Sequence, residues 1–153
     1  MTDLTLNNFT TDRKYDGIFF KKIVETAVKE LDLETKKLEL SVNLVGEGRI
    51  KALNKKYRER NRITDVLSFP LQNKISAKSA SNGIMSLGDI FICLPVAKKH
   101  AEREGATLDY KLAFLIVHGF LHLLGYDHEK SSKEKNKMFA LQDKILKQVI
   151  ADS

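Results

Sequence analysis

Three of the four histidines in this chain fall between positions 118 and 128, in the segment H-G-F-L-H-L-L-G-Y-D-H. His118 and His122 are four apart, so on a helix they share a face with Cβ atoms roughly 5–6 Å apart. Two imidazoles at that separation can converge on one ion at about 2.0–2.1 Å from each nitrogen. One further helical turn would point a third ligand away, so the chain has to leave the helix and double back. Gly125 stands where that exit belongs, because glycine takes the left-handed conformation that closes a last turn. Three residues later His128 can return and complete a three-histidine site. Three neutral nitrogen donors favour zinc, with nickel, copper or iron as chemical competitors. Three protein ligands rather than four leave a position open, the arrangement of a catalytic site more than of a structural one. Asp127 has two readings, orienting a ligand or capping the turn. His100, on a polar helix, is expected to be exposed.

The spacing H-x-x-x-H-x-x-G-x-x-H is that of the metzincin proteases, which carry a glutamate general base directly after the first histidine. Gly119 stands there instead. Glycine has no group to accept a proton, which disfavours peptide hydrolysis by that mechanism. Gly119 is expected to keep one side of the metal clear for a bulky substrate.

A second constellation is electrostatic. The segment RIKALNKKYRERNR holds Arg49, Lys51, Lys55, Lys56, Arg58, Arg60 and Arg62 against Glu59 alone, which accounts for the chain's whole excess of +6. A concentrated patch of this kind suits a polyanion such as nucleic acid, although a solvated helix face reads the same way. Tyr57 could stack on a base, but it falls on the apolar stripe Ile50, Leu53, Tyr57 and is expected to pack into the core.

Several elements have to position these residues. Phe19, Ile23, Ala27 and Leu31 recur at helical spacing, predicting an amphipathic helix from about Asp16 to Leu31. In LELSVNLV, Leu38, Leu40, Val42 and Leu44 alternate with polar residues, predicting a strand with one buried face. The basic segment follows as a helix, then ITDVLSFP reads as a second strand closed by Pro70. Residues 72–83, QNKISAKSASNG, are small, polar and unpatterned, as in a functional loop. SLGDIFICL predicts a third strand, in which Asp89 either approaches the site or serves the turn after Gly88. Pro95 suits the first turn of a helix that stops at Gly105. Thr107 caps the next, whose middle is apolar nearly all round and which runs to Gly125 as the central buried helix. Ser131 and Glu134 form a capping box for a last helix, with Met138, Leu141, Ile145 and Val149 facing inward. Strands mixed with helices predict an α+β (α/β layered) architecture, a single compact domain across 1–153.

Composition bounds the rest. At 153 residues, 42% hydrophobic and 30% charged, the chain can bury a core and is too apolar to be disordered. No run approaches the roughly 20 apolar residues of a membrane span, so no membrane partner is expected. The N-terminus lacks the basic-then-apolar order of a secretory signal. The single Cys93, within IFICL, excludes an intramolecular disulfide and reads as a buried thiol. The expectation is a reduced, cytoplasmic protein.

Taken with the blocks LNKKYRERNRITDVLSFP (53–70), SLGDIFI (86–92) and MFALQDKIL (138–146), the histidine segment resembles the YbeY family of bacterial metal-dependent endoribonucleases. The resemblance covers about residues 38–146 and implies a small mixed sheet flanked by helices. It also implies a single-strand-specific, zinc-dependent endoribonuclease acting in small-subunit ribosomal RNA maturation and ribosome quality control, with ribosome-associated proteins as partners. His118, His122 and His128 match the zinc ligands, and Arg58 matches a functionally important arginine. Arg58 would bind phosphate and stabilise transition-state charge, while Lys55, Lys56, Arg60 and Arg62 would hold the RNA backbone. The attacking oxygen is either water or the RNA 2′-hydroxyl. Gly46-Glu47-Gly48-Arg49 departs from the family's more acidic turn, and the 72–83 loop offers nothing to transfer. Two other readings stay open: an RNA- or ribosome-binding assembly factor whose metal only holds the fold, and a zinc hydrolase of another substrate.

Overall fold

The computed structural model describes residues 1–71 and 83–153; the loop expected at 72–83 therefore lies, but for Gly83, outside the described residues. In chain order the elements are β1 (Thr2–Asn8), α1 (Gly17–Glu30), β2 (Lys37–Val45), α2 (Glu47–Arg58), β3 (Val66–Pro70), β4 (Ile84–Cys93), α3 (Leu94–Glu104), α4 (Leu108–Leu123) and α5 (Ser132–Asp152). The sheet runs β1-β2-β4-β3, with β1, β2 and β4 parallel and β3 antiparallel at one edge. This is the expected α+β layering, with one strand more than the sequence pattern indicated. β1 pairs Leu4 with Leu40 and Leu6 with Val42.

Local chemistry starts the helices where the sequence places them. Asp16 accepts from Phe19 N–H, Thr107 from Tyr110 N–H and Ser131 from Glu134 N–H, each satisfying an otherwise unpaired first-turn donor. In α1 the buried stripe is Phe20, Ile23, Val24, Ala27 and Val28; Phe19 and Leu31 only flank the core.

Pleat alternation splits the core in two. Leu38, Leu40, Val42, Leu44, Ile90 and Ile92 face α1, α4 and α5 in the main core. Cys93, Leu67 and Val45 face the other way and pack with Ile50 of α2. Burial pushes the Cys93 thiol pKa up, as expected of a thiol that packs as a hydrophobe. Central α4 fully buries Leu112, Ile116 and Phe120, each contributing roughly 1.5–3 kcal/mol.

A register shift between Glu39 and Leu40 places Leu87 as an extra residue in β4, just before Gly88. Gly88 has φ +128°, and a Cβ there would lie 2.2 Å from the Phe69 carbonyl oxygen. Only glycine lets β3 approach so closely, and β3 carries one wall of the site.

Candidate metal centre and its cleft

The last two turns of α4 carry His118 and His122. The helix ends in a Schellman arrangement: Gly125 N–H donates to His122 O and Tyr126 N–H to Leu121 O, with Gly125 at φ +101°. That reversal brings His128 back. His122 Nε2 lies 3.1 Å from His118 Nε2 and 3.2 Å from His128 Nδ1. Nitrogens each about 2.0–2.1 Å from a tetrahedral ion sit about 3.3 Å apart, so the spacing fits a single bound metal. Asp127 caps the turn, its Oδ1 accepting from Glu129 N–H at 2.9 Å; of its two readings, this is the one observed.

The protonation states fit as well. Gln142 of α5, 2% exposed, places Oε1 2.8 Å from His118 Nδ1. An amide oxygen only accepts, so Nδ1 carries the proton and Nε2 keeps its lone pair toward the other imidazoles. Burial lowers the His118 pKa, only partly opposed by the Gln142 bond. Burial, then the neighbouring His118 and His128, push His122 down to about 4. Both rings are therefore neutral near pH 7, the form that ligates metal.

The histidines open into a cleft of about 590 Å³ whose lining also includes Arg58, Arg60, Arg62 and the acids Asp65, Asp127 and Glu129. Arg58 is the last residue of α2; Glu59 turns the chain in the left-handed region at φ 56°. Buried Asn54 holds that turn from inside, its side-chain Nδ2 donating to Arg62 O at 3.0 Å and its backbone carbonyl accepting from Arg60 N–H at 3.2 Å. The Arg58 guanidinium donates to Ser68 O and stands 5.3 Å over the Phe69 ring. Exposed though it is, its head is held in place. Lys56 lines a different groove, and Lys55 lines neither.

Four expectations change. Gly119 does not face the point where the imidazoles converge: a Cβ there would meet Ser68 Oγ at 3.0 Å and Ile90 Cγ2 at 3.1 Å, so glycine lets α4 settle onto β3 and β4. Tyr57 is 56% exposed, because α2 ends one residue later and its ring rests edge-on against Phe69 at 5.4 Å. His100 is half-buried, with Nδ1 3.3 Å from Asp65 Oδ2. Asp89 accepts from Ser41 Oγ at 2.5 Å across the β2–β4 pair and does not line the cleft. Asn54 and Gln142 were missed; each is a lone amide at a core-facing position of an otherwise apolar helix stripe.

A layered α+β protein that turns three imidazoles onto one point beside an arginine-lined cleft has the makings of a metal-centred protein with a polyanionic ligand. Comparison with known proteins is more specific. The chain belongs to the endoribonuclease YbeY family, whose model matches residues 5–150. It is 39% identical over 149 residues to the endoribonuclease YbeY of Persephonella marina, covering 97% of this chain and 94% of that one. To the Sulfurihydrogenibium protein of the same name it is 42% identical over 142 residues, covering 93% and 89%. A Thermotoga maritima protein of known solution structure superposes with TM-score 0.65 at 28% identity, covering 99% of this chain and 91% of that one.

Proposed function

We propose that this chain is a zinc-dependent endoribonuclease, a single catalytic domain across 1–153 that cleaves single-stranded RNA in the cytoplasm. Its work is maturation of small-subunit ribosomal RNA and ribosome quality control, alongside ribosome-associated proteins. The observation that carries this reading is one cleft holding both the three converging imidazoles and three arginines, in a chain of an endoribonuclease family. No helix among the described residues is long and apolar enough to cross a membrane.

His118, His122 and His128 are the metal ligands. Zinc, when bound, supplies Lewis acidity that polarises a phosphoryl oxygen and acidifies water. Gln142 keeps the His118 proton on Nδ1, so that Nε2 faces the ion. Arg58 uses one guanidinium N–H on Ser68 O and the Phe69 ring as a platform, leaving its other donors for a phosphate. Its fixed charge then offsets the charge that develops on the phosphorane-like transition state. Arg60 and Arg62, carried into the same cleft by the turn that Asn54 braces, hold flanking phosphates. Lys55 and Lys56 extend the grip along α2 without reading sequence.

The test is cleavage of a labelled single-stranded RNA by zinc-loaded protein beside purified His122→Ala, with circular dichroism on both. Cleavage by the wild type and its loss in a folded variant are expected. Equal cleavage by both would overturn the assignment. Unfolding of the variant together with an inactive wild type would favour an assembly factor whose metal only holds the fold.

A further inference from the structure

A second groove of about 380 Å³ shares no lining residue with the histidine cleft and lies along α2 against the sheet. Its walls include Phe9, Tyr57 and Phe91, with Arg49 and Lys56 beside them. Phe9 is 53% exposed and Tyr57 56% exposed. Each ring carries a cation: the Arg49 guanidinium lies 4.2 Å from the Phe9 centroid and Lys56 Nζ 5.1 Å from that of Tyr57. Aromatic faces flanked by cations are the parts from which single-stranded nucleic acid sites are built. Every base has a face to stack, and every linkage has a phosphate to neutralise. An apolar peptide would have to desolvate both cations without pairing them, so charge selects a polyanion.

One ring, Phe69, links the groove to the cleft. Phe69 stands between them, touched by Arg58 from the cleft at 5.3 Å, and by Tyr57 at 5.4 Å and Phe91 at 5.7 Å from the groove. We propose that this groove is a base-stacking subsite for single-stranded RNA. Unstacked bases of the strand lie on Phe9 and Tyr57, Arg49 and Lys56 hold the phosphates between, and the strand passes over Phe69 to the cleft. A duplex cannot offer its base faces here, which gives the enzyme a physical reason to prefer single strands. The inference rests on the endoribonuclease reading above and adds to it where the substrate lies.

Fluorescence anisotropy on the zinc-loaded full chain tests it, with a labelled 2′-O-methyl uridine decamer and a decamer of the same backbone lacking its bases. A gel after each titration confirms intact strands. The wild type should bind the base-bearing strand about tenfold more tightly than the abasic one. Phe9→Ala/Tyr57→Ala should abolish that preference while binding the abasic strand as the wild type does, and Tyr57→Phe should retain it. A wild type that binds both strands alike, or a double variant that keeps the preference, overturns the subsite. Cleavage of unmodified RNA on the same wild-type sample separates the two failures: cleavage without base preference sinks only the stacking groove, whereas base preference without cleavage sinks only the nuclease.

Discussion

Replacing Gln142 by leucine should weaken zinc binding without touching a ligand. The Gln142 amide oxygen lies 2.8 Å from His118 Nδ1 and is buried with only 2% exposure, so no water is positioned to replace it. Without that acceptor the His118 proton is better placed on Nε2, where His122 Nε2 waits 3.1 Å away to accept it. The proton then occupies the line along which the metal has to be held, and zinc binds only after the tautomer is reversed. Losing a partner of this kind typically costs 10–100-fold in metal affinity, the equivalent of about 1.4–2.8 kcal/mol. Leucine fills similar space on an apolar stripe between Met138 and Ile145, so the fold should hold to within about 1 kcal/mol. Competition for zinc against a chromophoric chelator reads the affinity, and urea denaturation of the metal-free protein reads the stability. Gln142→Glu restores an acceptor at the same place and should bring affinity back to the wild-type value or above it. A folded leucine variant that binds zinc as tightly as the wild type would refute the tautomer argument.

Three further outcomes are expected. His122 stays neutral in the folded metal-free chain down to about 4, whereas an unfolded histidine titrates near 6.5. Between those values the unfolded state binds the extra proton, so stability falls as pH drops from about 6.5 towards 4 and is level above it; discounted for residual solvent contact the loss is about 2 kcal/mol. The same urea midpoint near pH 7 and near pH 5 would show it, and an unchanged midpoint would contradict it. Arg58→Lys gives up the Ser68 O bond geometry and the Phe69 platform; RNA cleavage should fall about 10–100-fold with melting temperature nearly unchanged, so a variant that cleaves at the wild-type rate counts against Arg58. Gly88→Ala drives a Cβ to 2.2 Å from the Phe69 carbonyl oxygen at φ +128° and should cost about 3 kcal/mol or more; a near-wild-type unfolding midpoint would mean that β3 does not need so close an approach.

The parts of this molecule legible in its sequence are those written over one or two helical turns. The i, i+4 histidines, the glycine that ends their helix and the returning His128 all belong to one local geometry, and the structure assembles them as the spacing implies. The caps at Thr107 and Ser131 are local in the same sense. What escaped depends on a neighbour far along the chain. Of the residues β1 turns inward, only Leu4 and Leu6 are apolar while Thr2 and Asn8 are polar, too little pattern to announce a strand, and β1 exists because β2 offers it an edge. Gly119 looked like room for a substrate; its reason is Ser68 and Ile90, on two different strands. Tyr57 sits on the apolar stripe but beyond the reach of the core that the stripe serves. Asn54 and Gln142 carry the most instructive signal, since each interrupts an apolar stripe with an amide. Burying an amide costs free energy unless something completes its hydrogen bonds. Such an interruption therefore marks a partner without naming it. Here the partners are the arginine turn and an imidazole of the histidine cluster, so the two polar residues that break the core pattern of their helices are the two that hold the site in shape.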